Sequence, residues 1–277
     1  MVADAGRASG RLAARVSCPR VAPTIDILGI SLKSFGLIFA LAFVCSGALA
    51  FKRFKELGMP SEWAYEAIFA ALIGGLVGAR VYYLIEHADD LEGDLLGSLF
   101  GGAGLVFYGG LAGGVVAVLL WAAWRRFVGL TLLDLAAPSL AIGYAVGRIG
   151  CQISGDGDYG VASDLPWAMA YPDGVVPIDT PVHPTPLYEA IAMGLFTWVL
   201  WRLRDTFRPG ILFGIYLVGA GLERLLIEFI RRNEAAVLGL TDAQLTAVGM
   251  MVIGVVWLVV VGRRQGGYLR AAPAGQH

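Results

Sequence analysis

The residues best suited to chemistry lie in the stretch GRIGCQISGDGDYG, at positions 147–160. It places Arg148, Cys151, Asp156 and Asp158 among glycines, directly after an apolar run. A guanidinium binds phosphate or carboxylate in two-point contact, and a thiolate can act as a nucleophile. We expect Cys151 to be a packing residue, because no histidine lies near it in the sequence. The two aspartates could bind a metal, but we favour the alternative that they anchor this turn on an arginine.

A second group of charged residues falls inside other apolar runs. Arg80 lies in the run 63–86, and Glu223, Arg224, Glu228 and Arg231 lie in the run 210–231. A charge at membrane depth costs about 2.5–3.5 kcal/mol on insertion scales, so it is normally paired or functional. The spacing i, i+4, i+7 places Arg224, Glu228 and Arg231 on one helix face. That face could be an ion pair that only holds helices together, or part of a binding site.

The composition indicates a membrane protein. Of the 277 residues, 57% are hydrophobic and 16% are charged, whereas a soluble domain has about 25% charged residues. We predict an all-α, polytopic membrane protein with seven transmembrane helices, each near the ~20 residues that a bilayer requires. The predicted spans are 34–51, 63–86, 99–124, 130–148, 186–202, 210–231 and 243–262. A net charge of −1 without a basic stripe argues against a nucleic-acid partner, and the cysteine spacing predicts no metal.

The distribution of lysine and arginine predicts the orientation in the membrane. Positive residues concentrate in cytoplasmic loops, and one set of loops holds Lys52, Arg53, Lys55, Arg125, Arg126, Arg202, Arg204, Arg208, Arg263, Arg264 and Arg270. Five positive residues in the N-terminal segment favour the opposite orientation, but four of them lie too far from the first span to have much influence. We therefore expect an extracytoplasmic segment 1–33, a membrane domain 34–262 with an outer loop 149–185, and a cytoplasmic tail 263–277.

This orientation brings the polar groups together in the outer leaflet. The loop delivers His183, Tyr188 and Glu189 to the fifth span, and Tyr108 lies part of the way down the third. The arginines outnumber the nearby buried carboxylates if the two aspartates stay in the loop; they are Arg80, Arg148, Arg224 and Arg231. An excess of arginine at headgroup depth suits the phosphate of an anionic phospholipid.

Five segments of the chain resemble the prolipoprotein diacylglyceryl transferase family. They are GARVYYL (78–84), FYGGLAGG (107–114), GRIGCQISGDGDYG (147–160), HPTPLYE (183–189) and GLERLLIEFIRR (221–232), in that order along residues 22–262. The resemblance implies a seven-helix enzyme of the bacterial inner membrane that needs no cofactor. Such an enzyme transfers diacylglyceryl from phosphatidylglycerol to the lipobox cysteine of a preprolipoprotein, at the outer leaflet. A thioether forms, and glycerol 1-phosphate leaves.

The same resemblance implies roles for individual residues. Arg148 corresponds to the arginine that binds phosphatidylglycerol, and Arg224 to the essential arginine of the sixth span. The other matched positions are Arg80, Asp156, Gly160, His183, Tyr188 and Glu228, and Arg231 shares the face of Arg224. Some positions depart from the family pattern, namely Phe35, Tyr108, Cys151, Ala220 and an extra residue in GDGDYG. Because of that extra residue, either aspartate could fill the family's carboxylate position.

The reaction requires stabilisation of the leaving phosphate and removal of the thiol proton. We expect Arg148 and Arg224 to stabilise the phosphate. Positive surroundings favour a thiolate, so a dedicated base could be unnecessary; the candidates are Tyr108, His183 and Asp156. Packing explains Tyr108 equally well, and helix capping or loop anchoring explains His183. The alternative functions are a non-catalytic relative that binds lipid or peptide, and a transporter, although no matching pair of broken helices is found.

Overall fold

Seven helices form the framework of the computed structural model, which describes residues 21–27, 29–86, 107–233 and 239–270. Within those residues the helices are α1 (Ser34–Glu56), α2 (Trp63–Glu86), α3 (Phe107–Trp124), α4 (Leu130–Ser154), α5 (Thr185–Leu203), α6 (Ile211–Glu228) and α7 (Asp242–Arg264). Each predicted apolar run overlaps with one of these helices, which confirms the expected all-α class. Residues 99–106 of the third predicted run lie outside the described residues, as do 1–20 and 271–277.

Four of these helices, α1, α2, α4 and α7, are long and apolar enough to cross a membrane. Helix α3 is a shorter apolar helix over the part that is described. Many of the large apolar side chains on these helices are exposed, among them Phe69, Leu120 and Ile253. An exposed apolar surface of this extent is what a lipid environment requires, and the chain is therefore a helical membrane protein.

Two small antiparallel sheets lie beside the helices. Strands β1 (Thr24–Ile27) and β2 (Ile30–Lys33) precede α1, and β3 (Met169–Tyr171) pairs with β4 (Ile178–Val182) in the long predicted loop. The rings of Tyr159 and Tyr171 stack at 4.1 Å and are buried with Val182. The segment between α4 and α5 is therefore an ordered cap with its own small core.

Helix α4 continues past its predicted end. The prediction stopped at residue 148, but the helix runs to Ser154, because nothing in the intervening residues interrupts the backbone hydrogen bonds. The residue that follows the helix, Gly155, has a φ of 62°, which lies in the left-handed region that favours glycine. A Cβ there would also lie 2.8 Å from the Cα of Gly174. Arg148 consequently lies inside the helix rather than at its end.

Helices α2 and α3 pack against each other along a line of glycines. Gly74 and Gly78 of α2 face Gly109 and Gly113 of α3 so closely that a Cβ on any of them would lie within 2.7 Å of the opposing helix. Small residues allow membrane helices this approach. The glycine spacing of α3 therefore serves packing within the chain.

Replacing Gly113 with alanine is expected to destabilise this pair. The new Cβ would lie 2.2 Å from the carbonyl oxygen of Gly74 and 2.7 Å from the Cα of Gly78, and backbone cannot give way as a side chain can. We expect a melting temperature about 5 °C lower in detergent. Gly194→Ala on α5 is the matched control, because nothing lies within 4 Å of its added Cβ. Equal melting temperatures for the two variants would contradict the proposed contact.

At one end of the bundle, ion pairs and hydrogen bonds connect the ends of neighbouring helices. Arg53 of α1 is ion-paired with Asp205 at 2.8 Å, and Arg204 is paired with Glu56 at 2.9 Å. Asp134 of α4 accepts hydrogen bonds from the backbone N–H groups of Gly210 (2.7 Å) and Phe213 (2.9 Å), and so caps α6 from a neighbouring helix. The loops after α1 and after α5, which the sequence assigned to the same side of the membrane, therefore lie together at one end of the bundle. The candidate site lies at the other.

Candidate functional site

Four charged side chains form a closed arrangement at the second end of the bundle. Arg148 comes from α4, Asp158 from the cap, Glu189 from the first turns of α5, and Arg231 from the segment after α6. Each carboxylate contacts both arginines, and each arginine contacts both carboxylates. We call this set the arginine–carboxylate ring.

Glu189 is the most buried member of the ring. Its side chain has no exposed surface, and its two oxygens lie 2.7 Å from Nε of Arg148 and 3.2 Å from Nη1 of Arg231. The hydroxyl of Tyr144 donates to Oε2, and the ring of Tyr144 lies 4.9 Å from the Arg148 guanidinium. Glu189 therefore holds two helices and the segment after α6 in one electrostatic unit.

Asp158 closes the ring from the cap. One carboxylate oxygen accepts from Arg148 and the other from Arg231. The backbone of the same segment is fixed as well, since Gly160 N–H donates to His183 O (2.9 Å) and Val161 N–H to Ile230 O (2.8 Å). The two aspartates therefore differ in their contacts. Asp158 meets the arginines.

Asp156 instead faces its own turn. Its Oδ1 accepts the backbone N–H of Asp158 at 3.3 Å. Ligand atoms of Cys151, Asp156 and Asp158 lie within 4.8 Å of one another, a spacing that a cation could bridge. Both oxygens of Asp158 already accept from guanidinium groups, so a cation would have to displace them. These residues fit loop anchoring better than metal binding.

The surroundings of Asp158 change its acidity. Burial alone would raise the pKa of this carboxyl, but the positive charges and hydrogen bonds of Arg148 and Arg231 outweigh burial. The pKa of Asp158 therefore lies below its ordinary value, and the group is ionised at neutral pH.

Replacing Asp158 with asparagine is expected to lower the melting temperature at pH 7 by a few degrees and to flatten its decline in acid. Because the pKa is lowered, the stabilisation is complete above the ordinary value of about 3.9 and disappears as the pH falls through the folded-state value. Thermal unfolding in detergent between about pH 3 and pH 7 measures this. Asp179→Asn, at an exposed position of β4, should follow the wild-type curve. A D158N curve parallel to the wild type at every pH would contradict the assignment.

The charged face of α6 adjoins the ring. Arg224 lies 3.0 Å from Glu228, and Glu228 Oε2 lies 3.9 Å from Nε of Arg231. Glu228 also accepts from Asn233 (2.6 Å) and from Thr241 (2.7 Å), the residue that caps α7. Arg224 and Glu228 share a face of α6, as the i, i+4 spacing predicts. The expectation for Arg231 is wrong, because α6 ends at Glu228 and Arg231 reaches Glu228 from the segment after the helix. In the described part of the chain, Nη1 of Arg224 is buried without a hydrogen-bond partner.

A fourth carboxylate, Glu223, completes the cluster. It lies near enough to Arg148, Glu189, Arg224 and Arg231 to interact with them electrostatically. The three arginines of the described cluster thus meet four carboxylates. The expected excess of arginine is wrong even if Arg80 is counted. The expectation failed because it assumed that the aspartates stay in the loop, whereas Asp158 pairs with two of the arginines.

Other predicted site residues lie beside the cluster. Nδ1 of His183 is 3.3 Å from the Tyr188 hydroxyl, which accepts a 2.7 Å hydrogen bond from Nε1 of the exposed Trp167. Gly160 packs against backbone, since a Cβ there would lie 2.6 Å from Ile230 O. Loop packing therefore explains the requirement for glycine at that position.

Two predicted residues lie on the α2–α3 pair. Tyr108 is 55% exposed on α3, and the Arg80 guanidinium lies 5.3 Å from the ring of Tyr83 on α2. The helices that carry these two residues supply no member of the ring, whose side chains come from α4, the cap, α5 and the segment after α6.

Sequence reasoning placed Glu189 near the site without assigning it a role, and it missed Tyr144. The signal for Glu189 was its place at the end of HPTPLYE, one residue after a predicted site residue. The signal for Tyr144 was its position four residues before Arg148, on the same face of α4. Neither signal identifies a contact between α4 and α5, which depends on how the helices pack.

The fold and the cluster define a helical membrane protein with a buried arginine–carboxylate site at one end of its bundle. The chain belongs to the prolipoprotein diacylglyceryl transferase family, whose family model matches residues 23–260. This membership confirms the resemblance inferred from the five sequence segments.

Several relatives named phosphatidylglycerol–prolipoprotein diacylglyceryl transferase are similar over most of their length. The protein from Leptospira interrogans is 32% identical over 229 residues, which cover 73% of this chain and 72% of the relative. That from Mannheimia succiniciproducens is 33% identical over 261 residues, covering 89% and 95%. That from Pasteurella multocida is 32% identical over 266 residues, covering 90% and 96%.

Proposed function

We propose that this chain transfers the diacylglyceryl group of phosphatidylglycerol to the lipobox cysteine of a preprolipoprotein. The products are a thioether-linked lipid and glycerol 1-phosphate. The observation that carries the proposal is the joining of Arg224 to the ring at one end of a lipid-exposed helical bundle. Family membership and the names of the relatives support the same reaction.

Arg224 and Arg148 stabilise the phosphate of the leaving group in this proposal. Arg224 has a buried Nη1 without a partner among the described residues, so it can donate to a phosphate oxygen without breaking an existing hydrogen bond. The side chain of Arg224 is 22% exposed and that of Arg148 is 15% exposed, so both retain access from outside. Preorganised donors of this kind act on charge that develops in the transition state.

The remaining residues hold these arginines or the substrates. Glu228 and Arg231 orient Arg224 and Arg148, and His183 and Tyr188 lie with Trp167 where the cap meets α5. We assign this edge to the lipobox peptide. Arg80, Tyr108, Asp156 and Gly160 are proposed contacts that rest on the resemblance, and Tyr108 is also its candidate proton acceptor.

We place all seven helices across the bacterial inner membrane, with the N-terminus outside and the C-terminus in the cytoplasm. The meeting of Arg53, Arg204 and Arg270 around Asp205 at one end supports a cytoplasmic assignment for that end. The ring then faces the outer leaflet. Segment 1–33 lies outside, 34–262 forms the membrane domain, and 263–277 is the cytoplasmic tail.

The test is to incubate the purified protein with phosphatidylglycerol vesicles and a synthetic lipobox peptide. Mass spectrometry should detect the peptide with one added diacylglyceryl group, and glycerol 1-phosphate should appear in equal amount. Vesicles of phosphatidylcholine alone are the control. Binding of peptide or lipid without a thioether product, beside an active relative, would instead support a non-catalytic binding protein.

A further inference from the structure

Glu223 is a carboxylate in the cluster that the proposed mechanism does not use. It precedes Arg224 on α6, and its Oε1 is buried without a hydrogen-bond partner in the described part of the chain. Leaving a buried polar atom unsatisfied costs about 1–3 kcal/mol. Such an atom beside a reaction site requires a functional explanation.

The other three carboxylates of the cluster are all engaged. Asp158 and Glu189 each contact two arginines, and Glu228 contacts Arg224, Asn233 and Thr241. Among the described residues, Glu223 makes neither a hydrogen bond nor an ion pair. It is therefore the member of this set that can accept a proton without breaking a contact.

Glu223 faces the cluster. The charged and titratable groups that act on it come from α4, α5, α6 and the segment after α6, and they are Tyr144, Arg148, Glu189, Arg224 and Arg231. Two of these groups, Arg148 and Arg224, are the proposed phosphate donors. Glu223 directly precedes Arg224 on α6, so a thiol that attacks beside a phosphate held by Arg224 would approach Glu223 as well.

The charge balance makes a proton acceptor necessary. An ordinary thiol has a pKa of about 8.5 and is mostly protonated at neutral pH. An excess of arginine would favour the thiolate, but three arginines meet four carboxylates in the described cluster. The surroundings therefore do not ionise the thiol by themselves.

We propose that Glu223, in place of the Tyr108 that the resemblance offers, is the catalytic base, an assignment that rests on the proposed diacylglyceryl transfer. Its carboxylate takes the proton of the lipobox thiol, and the sulfur electron pair forms a bond to the glyceryl carbon that bears the phosphate. The bond from that carbon to oxygen breaks, and its electron pair leaves on glycerol 1-phosphate. The protonated carboxyl then releases its proton to the departing phosphate or to water.

The first measurement compares Glu223→Gln with the wild type in the vesicle assay. Glutamine preserves shape but cannot accept the proton, so we expect turnover to fall by about 100-fold or more, with little change in KM for phosphatidylglycerol. The matched control is Glu62→Gln, at an exposed position just before α2, which should retain wild-type turnover. Turnover of E223Q within about twofold of the wild type would overturn the assignment.

The second measurement uses a lipobox peptide with selenocysteine in place of cysteine. A selenol is already ionised at neutral pH, so it needs no base, and E223Q should modify this peptide at close to the wild-type rate. The ratio of the two peptide rates within one sample does not depend on how much protein is folded. An equal loss with both peptides would show that Glu223 has only a structural role and would overturn the proposal.

The third measurement is the pH profile of kcat/KM. Wild-type activity should rise with pH as Glu223 ionises. In E223Q only ionisation of the peptide thiol remains, so the rise should follow the thiol pKa of about 8.5; an unchanged profile would overturn the assignment. A wild-type protein that forms no thioether would overturn the proposed function together with this one. An active wild type with an equally active E223Q would overturn the base alone.

Discussion

Replacing Glu189 with alanine is expected to lower the free energy of unfolding by about 3–5 kcal/mol, the usual result of removing one partner from a buried ion pair. The side chain is fully buried, and its loss leaves two arginines with one carboxylate between them. Tyr144 also loses its acceptor. Unfolding in mixed detergent micelles, followed by circular dichroism, measures the change.

Asp205 is the matched control for Glu189. It also pairs with more than one arginine, Arg53 at 2.8 Å and Arg204 at 3.6 Å, but its side chain is 58% exposed. Exposed pairs contribute about 1 kcal/mol or less, so Asp205→Ala should have a small effect. Equal losses for E189A and D205A would show that burial of the ring does not determine its contribution.

Replacing Arg148 is expected to abolish turnover. Arg148→Ala removes a proposed phosphate donor and the centre of the ring, and we expect a loss of about 100- to 1,000-fold or more in kcat. Arg148→Lys separates chemistry from folding, because lysine keeps the positive charge but lacks the two-point geometry of guanidinium. Its melting temperature should stay near that of the wild type while most of the turnover is lost.

Cys151 supplies the control for this experiment. Its sulfur lies 3.8 Å from Nη1 of Arg148, a weak contact, and the proposed reaction requires no thiol from the enzyme. Cys151→Ala should therefore retain turnover. If C151A were folded but inactive, our interpretation of the cysteine as a packing residue would be wrong. If R148K were fully active, the two-point phosphate contact would be wrong.

The sequence predicted the helices better than their contacts. Long apolar runs identify α1, α2, α4 and α7 because a membrane-spanning helix needs about 20 such residues, and the i, i+4 spacing correctly placed Arg224 and Glu228 on one face of α6. These patterns are local. The end of α4 was missed because Arg148 resembles a helix boundary, whereas an arginine with two carboxylate partners is tolerated inside a helix.

The composition of the site depended on contacts between distant segments. Asp156 and Asp158 are alike in sequence, and only the fold of the cap places Asp158 between Arg148 and Arg231. Glu189 could not be assigned a role for the same reason, and leaving Asp158 in the loop produced the mistaken arginine excess. The packing of α4 against α5 and α6, which decided these points, leaves no periodic pattern in the sequence.

The ring also constrains the order in which contacts can form while the chain is being synthesised. Arg148 can meet Asp158 as soon as both are synthesised, since only ten residues separate them. Arg231 follows Glu189 by 42 residues and Asp158 by 73, so Glu189 is synthesised well before its second arginine. The ring consequently closes only after the segment that follows α6 has been made. A nascent chain that stops before Arg231 carries Glu189 with one of its two arginine partners.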